Sequence, residues 1–200
     1  MFWLFLTLFG VVAAIFPGIL PRRIPPQLGR ILGIALAVFA FLSTSFVTID
    51  SNAVGHLKRI YFGRAMPAGH VIAMRGENGP QAEVLPPGLT LRPFINIFYD
   101  VEELPAIDIP AGSYGLLTAR DGKPLGDGEF LAKGWAETEL EQIQNAEYFL
   151  THGGQRGPQL TVLKPGKYRL NLYLFDVKIQ PAIEVHTGEV AVIKSNVRES

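Results

Sequence analysis

Ten residues of this chain are written twice. Gly79–Gly88 reads GPQAEVLPPG and Gly157–Gly166 reads GPQLTVLKPG, 78 positions later. A chain that repeats its turn residues and its apolar spacing has to build the same local structure twice, and that constrains the fold more than any total. The likeness runs past the decapeptide. The second copy is two residues shorter before its Asp-Val; with that allowance Asp176-Val177 falls on Asp100-Val101, Pro181-Ala182-Ile183 on Pro105-Ala106-Ile107, and Gly188 on Gly112. The two units read Gly79–Thr118 and Gly157–Lys194. A partial echo lies upstream, where PAGHVIAM (Pro67–Met74) matches PAGSYGLL (Pro110–Leu117) and the frame of HTGEVAVI (His186–Ile193).

The runs inside and around these units have strand character. HVIAM (His70–Met74), NIFYDV (Asn96–Val101), YGLLT (Tyr114–Thr118), LNLYLFDV (Leu170–Val177) and VAVIK (Val190–Lys194) are rich in β-branched, aromatic and other apolar residues. Gly, Pro and Asp punctuate the gaps between them. Pro87-Gly88 and Pro165-Gly166 suit a type II turn, with Pro setting φ and Gly supplying the positive φ that follows. Such a turn predicts one strand reversing onto the next, so each unit reads as a small antiparallel meander. Recurrence of one unit predicts units joined side by side. Between them, DGKPLGDGEF (Asp121–Phe130) is a Gly-rich connection. AETELEQIQNAEYFLTHGG (Ala136–Gly154) then predicts one helix, with Leu140, Ile143, Glu147 and Leu150 on one face and Tyr148 and Phe149 beside it.

The chain ahead of the units has a different solvent. From Met1 to Ile49 there is no acidic residue, and the only basic ones are Arg22, Arg23 and Arg30. Met1–Leu20 and Ile31–Ile49 carry no charge at all. Each has about the 20 apolar residues that cross a hydrocarbon core, and a basic n-region of a cleaved signal is missing from Met1–Thr7. Together they predict a two-helix transmembrane hairpin around the loop Pro21–Arg30. Its three Arg place the loop in the cytoplasm, and the β-rich part on the extracytoplasmic side of a membrane such as a bacterial inner membrane. His56, Lys58, Arg59 and Arg64 just after the second helix pull the orientation the other way. Ile60, Tyr61 and Phe62 are candidates for dipping into the membrane interface.

Catalytic chemistry finds no purchase. His56, His70, His152 and His186 show no metal-ligand spacing, there is no Cys, and no nucleophile elbow occurs. His152, before Gly153-Gly154, reads as a helix C-terminal cap, and His186 as a strand-end turn residue. Glu102-Glu103 and the Asp127/Glu129 pair read as solvated turn acids. DGKPLGDGEF lacks the order of a phosphate loop. The reading is therefore non-enzymatic, with no catalytic, cofactor or metal residue and no cofactor. The formal net charge of zero, without a basic cluster, also excludes a nucleic-acid binder.

A membrane anchor, then Pro67, Gly69 and Val71, then Gly79, Pro80, Leu85, Pro87, Gly88, Leu89, Pro93, Phe94 and Val101, resembles the stomatin/prohibitin/flotillin (SPFH, band 7) superfamily. The tandem units are similar to the β repeats of vault shells. This resemblance implies an α+β chain divided into a hairpin (1–49), a first SPFH-like β unit (50–121), a connection with the inserted helix (122–156) and a second β unit (157–200). It implies a membrane-anchored homo-oligomeric scaffold that organises lipids and membrane proteins into microdomains. The alternative is a tethered adaptor or regulator of a membrane protease or transporter. Val185–Val197 looks like the opening of a further domain, so the chain reads as the N-terminal part of a longer protein.

Overall fold

The computed structural model describes residues 2–19, 21, 24–135, 139 and 141–192, with side chains from residue 5 onward. The chain is mixed α+β, with helices at its start and small antiparallel sheets after them. Helix α1 spans Phe2–Ile15 and α2 spans Pro26–Ser45. They pack closely where both are glycine. A Cβ on Gly10 would lie 2.6 Å from the Ala37 nitrogen, and one on Gly33 would lie 2.5 Å from the Ala14 nitrogen. Away from that contact the surface is apolar, with Phe5, Leu8 and Ile15 of α1 and Ile31, Ile34, Val38 and Phe39 of α2 all exposed. At 20 residues α2 is long and apolar enough to cross a membrane. At 14 residues α1 is shorter than the predicted span, because Pro17 ends it and Pro17–Ile19 turns as a short 3-10 helix. The predicted loop and second span are shifted: α2 begins at Pro26, so Arg30 lies in the helix, it ends at Ser45, so Phe46–Ile49 is strand and not span, and Arg22 and Arg23 lie outside the described residues.

Helix α2 runs into strand β1 (Phe46–Ile49) without a linker. Strands β2 (Ala53–Arg59), β3 (Gly79–Leu85), β4 (Gly88–Leu91) and β5 (Tyr99–Pro105) follow, with a one-turn helix α3 (Ile95–Phe98) before β5. These make unit 1. Strands β6 (Ile107–Ile109), β7 (Ser113–Ala119), β8 (Gly157–Leu163), β9 (Gly166–Tyr168) and β10 (Phe175–Pro181) make unit 2. Each unit has a three-stranded sheet, β3-β2-β5 or β8-β7-β10, and a two-stranded ribbon, β1-β4 or β6-β9.

The duplication is therefore real in three dimensions, but its frame differs from the sequence reading. β7, which contains the YGLLT of the first sequence unit, is the central strand of unit 2. The two units match rung for rung. Gly55 faces Leu85 as Gly115 faces Leu163, and the same irregularity follows, after His56 in β2 and after Leu116 in β7. Ile60 N–H donates to Phe98 O as Arg120 N–H donates to Leu174 O. The amides of Gln81 and Gln159 each cap two local carbonyls in the same way.

The predicted meander is corrected. β3 does not turn back on β4; it pairs with β2, while β4 pairs with β1. Pro86 and Pro87 have no N–H to give to a ladder, so the chain makes a corner there and the β1/β4 ribbon folds over the sheet. That fold-over needs glycine. A Cβ at Gly55 would sit 2.8 Å from Cδ1 of Ile49, and a Cβ at Gly115 would sit 2.7 Å from Cδ1 of Ile109. Ile49, Leu57, Leu85 and Ile95 form the small core of unit 1.

Other strand predictions are shortened. His70–Met74 is irregular apart from one bridge at Ala73. Its counterpart in unit 2 is Glu129–Lys133, since Ala73 N–H bonds Pro80 O as Ala132 N–H bonds Pro158 O. The Pro-Ala-Gly shared with Pro110–Leu117 marks a turn in both places, but only Pro110–Ser113 leads into a strand. In NIFYDV and LNLYLFDV the strand begins at Tyr99 and Phe175, after α3 and after a turn at residues 172–174. Val190–Val192 is irregular, and Ile193 and Lys194 lie outside the described residues.

The predicted helix is also broken. Ala136–Thr138 and Leu140 lie outside the described residues; a 3-10 turn covers Gln142–Gln144 and helix α4 covers Ala146–Thr151. Asn145 restarts the helix, because its side chain accepts from the N–H groups of Glu147 (2.9 Å) and Tyr148 (3.2 Å). The buried face is Ile143, Ala146 and Phe149, while Glu147 is exposed. This segment fills out the β7–β8 connection, and Phe149 joins the larger core around Ile109, Leu117, Leu163 and Phe175. Ile72 and Ala82 of unit 1 belong to that same core, so the units share apolar packing.

Candidate functional site: the joint between the units

One turn of unit 2, between β9 and β10, holds unit 1. Leu170 and Leu174 anchor it in the core, and the Asn171 carbonyl accepts the N–H groups of Leu174 (3.1 Å) and Phe175 (2.9 Å). Its outward groups then cross all three strands of the neighbouring sheet. Asn171 Nδ2 donates to the carbonyls of Gln81 (2.8 Å) and Ala82 (3.0 Å) on β3. Leu172 N–H donates to His56 Nε2 on β2 at 2.8 Å. Tyr173 O–H donates to Glu102 on β5 at 2.7 Å, and its ring stands edge-on to His56 at 5.1 Å.

Because Nε2 of His56 accepts, its proton sits on Nδ1, which donates to Val54 O at 3.1 Å. Burial pushes the His56 pKa down, and its backbone partners and Glu102 only partly oppose this. Burial and the Glu102 carboxylate both push the Tyr173 phenol up.

A second lock runs in the opposite direction. Asp121, just past β7, is buried and reaches into the 67–77 loop of unit 1. It accepts the N–H groups of Val71 (2.7 Å) and Ile72 (2.8 Å), the N–H of Gly122 (2.7 Å), and pairs with His70 Nδ1 at 3.0 Å. Burial opposes its charge, but the three N–H donors and His70 together outweigh it and hold the Asp121 carboxyl below the usual range. At the far edge Lys167 Nζ donates to Asn52 Oδ1. A cleft of about 580 Å³ opens beside Asp121, between the two loops, with His70, Glu77, Lys123 and Arg156 on its walls.

The histidines singled out in the sequence thus separate. His56 and His70 are both in the joint, on different locks. His152 stacks on Tyr148 at 3.8 Å and meets the Tyr148 carbonyl, at the helix end where the sequence placed it. His186 lies in a turn closed by Glu189. Among the described residues no group of three His, Asp or Glu side chains is placed to hold a metal ion. Glu102 and Glu103 are corrected from turn to strand, both within β5. Glu129 does lie at a turn, where Gly126 N–H and the Gln155 amide bind it. Asp121 and Asn171 escaped the sequence reading. The only signal for Asp121 was its Asp-Gly pair, which reads equally well as a solvated turn.

Near the helices a second apolar surface forms. Phe94 meets Phe41 of α2 edge-on at 5.1 Å and lies 6.0 Å from Phe98, which in turn meets Phe62 at 5.6 Å. Both Phe62 and Phe94 have left-handed backbone, at φ 59° and 57°. They line a groove of about 470 Å³ with Leu8 and Val11 of α1. No family model, curated protein or solved structure matches this chain.

Proposed function

We propose that the chain is a non-catalytic, membrane-anchored scaffold in which α1 and α2 form a hairpin seated in the bilayer and the tandem β units form a rigid wall beside it. This reading retains the SPFH-like expectation of a homo-oligomer that organises lipids and membrane proteins. The observation that carries it is the absence of a linker between α2 and β1. Ser45 Oγ accepts from Phe94 N–H at 3.2 Å, Ser45 O accepts from Arg92 N–H at 2.7 Å, and Asn96 Nδ2 donates to Phe46 O at 3.0 Å. An apolar helix pair tied in this way passes its orientation straight to the β units, as a wall requires. The exposed apolar surface of the helices suits lipid rather than water, and Tyr61 and Phe62 at the same end suit the interface. The extracytoplasmic placement of the units rests on the Arg content of the loop between the helices.

The charged inter-unit cleft favours a second reading, in which the chain is a tethered adaptor that receives a segment of a membrane protease or transporter. Particle mass in a lipid-preserving detergent separates the two. Large uniform particles are the scaffold outcome. Single chains in every lipid condition sink the scaffold reading and leave the adaptor.

A further inference from the structure

Phe62 is 83% exposed, yet its backbone is left-handed at φ 59°. A bulky side chain is disfavoured there, and unit 2 avoids one. Ile60 and Arg120 make the same bond, to Phe98 O and Leu174 O. Two residues past Arg120 stands Gly122, at φ 130°, so unit 1 places a phenylalanine ring where unit 2 uses glycine. Arg59 holds the strained segment, because its Nε and Nη2 donate to the carbonyls of Tyr61 and Phe62, both at 3.1 Å. Phe94, the other left-handed phenylalanine, lines the same groove.

Phe94, Ile97 and Phe98 of the β4–β5 turn supply a second wall. This turn is the counterpart of residues 170–174, by which unit 2 grips unit 1. There Asn171 and Tyr173 donate hydrogen bonds from their side chains. Here Phe98 falls on Leu174, so Ile97 stands in the place of Tyr173. The backbone of the wall is spent as well. Phe94 N–H goes to Ser45 Oγ at 3.2 Å, and the N–H groups of Ile97 and Phe98 go to Phe94 O at 3.0 and 3.1 Å. Thr7, the one polar residue on the wall, is not free. A peptide backbone laid in this groove would strand its own N–H and C=O groups. Hydrocarbon has none to strand.

Leu8 and Val11 carry the groove onto α1. With Ile15, at spacings of three and four, they make one exposed apolar stripe along that helix. The groove therefore opens into the surface that meets lipid when the hairpin is seated in a bilayer. Beside Phe62 stands Arg59, which makes no ion pair among the described residues. We infer that the groove between α1 and the β4–β5 turn holds one acyl chain of a membrane phospholipid. Its phosphodiester lies at Arg59, and the chain runs past Leu8 and Val11 toward Ile15. This inference rests on the membrane part of the scaffold reading and gives it one fixed lipid per chain.

The test reconstitutes the full chain in vesicles of phosphatidylcholine and phosphatidylglycerol. They are doped with a phosphatidylcholine that carries a photoreactive diazirine partway along one acyl chain. After irradiation the adducts are mapped by peptide mass spectrometry. The expected result is adducts on residues 94–98 as well as on residues 31–39 of α2. Phe62→Gly, the residue unit 2 has there, keeps the turn and removes one wall. It should lower the 94–98 adduct about tenfold, as loss of one buried phenylalanine contact implies, and leave the α2 adducts unchanged. Ile97→Ser should act likewise. Adducts on the helices with none on 94–98 overturn the inference and leave the membrane reading standing. A 94–98 adduct that Phe62→Gly does not change also overturns it, because lipid then touches the turn without a seat. So does an adduct there that rises as the chain is diluted in lipid, because a second copy then covers the groove. A chain that does not float with the vesicles fails the membrane reading itself, and the inference with it.

Discussion

Leu172 N–H lies 2.8 Å from His56 Nε2, joining residues 116 positions apart. The bond exists because His56 is neutral, fully buried and turned by Val54 so that Nε2 can accept. Replacing His56 by Leu, the residue unit 2 carries at that place, strands a buried N–H. The expected loss is about 1–3 kcal/mol in a denaturant melt. Leu116→His in the full chain, on an open face, is expected to be near neutral.

The joint is expected to weaken in acid in two steps. Both His56 and Asp121 have folded-state pKa values below their unfolded ones. For each, the unfolded chain binds a proton that the folded chain resists, so stability is full above the unfolded pKa and falls as pH drops. The first decline should begin near the unfolded histidine value of 6.5 and the second near the unfolded aspartate value of 3.8. His56→Gln removes the first step and Asp121→Asn the second, read from denaturation midpoints across pH. A midpoint in the parent chain that does not change from pH 7 to 3 contradicts both assignments.

Gly55 and Gly115 should respond alike, because each lies under the tip of an isoleucine, Ile49 or Ile109. Either Gly→Ala change is expected to cost about 1–3 kcal/mol through overpacking. Ile49→Val should recover part of the Gly55→Ala loss and leave Gly115→Ala untouched. A double-mutant cycle with no coupling between residues 49 and 55 rejects the fold-over.

Phe149 is fully buried, with its ring 5.7 Å from Trp135 and 5.0 Å from Phe175. Phe149→Ala is expected to cost about 3–5 kcal/mol and to alter Trp135 fluorescence. An unchanged melt would show that the segment around α4 is not part of the shared core.

The membrane reading makes its own demand on α2. Ile34 is exposed near the middle of that helix. A lysine there adds about 2.5–3.5 kcal/mol to insertion, so Ile34→Lys should shift the protein from the alkali-resistant membrane fraction to the soluble one. Gln27→Lys, at the helix start, should not. If both variants stay membrane-bound, α2 is not a lipid-facing span.

Some of this was legible along the chain. The repeated GPQ…PG, the shared Asp-Val and the recurring Pro-Ala-Ile are local signals, and they marked corresponding strands in both units. The charge-free N-terminal runs marked the helices, since apolarity over a helix length is also a local property. The break at Asn145 was less legible, because helix formers on both sides mask the competing cap that its side chain makes.

The amino-acid order by itself determined that one unit is built twice, and that the first 49 residues hold no acid and only three arginines. Tertiary structure alone decided which strands pair, that β7 belongs with β8 and β10, and that His56 and Asp121 became the locks of a joint. Strand pairing is set by long-range register and by the fold-over of Ile49 and Ile109 onto bare glycines, and neither leaves a periodic mark. A histidine becomes a buried acceptor only when a turn 116 residues away presents its N–H, and that meeting exists only once the chain has folded.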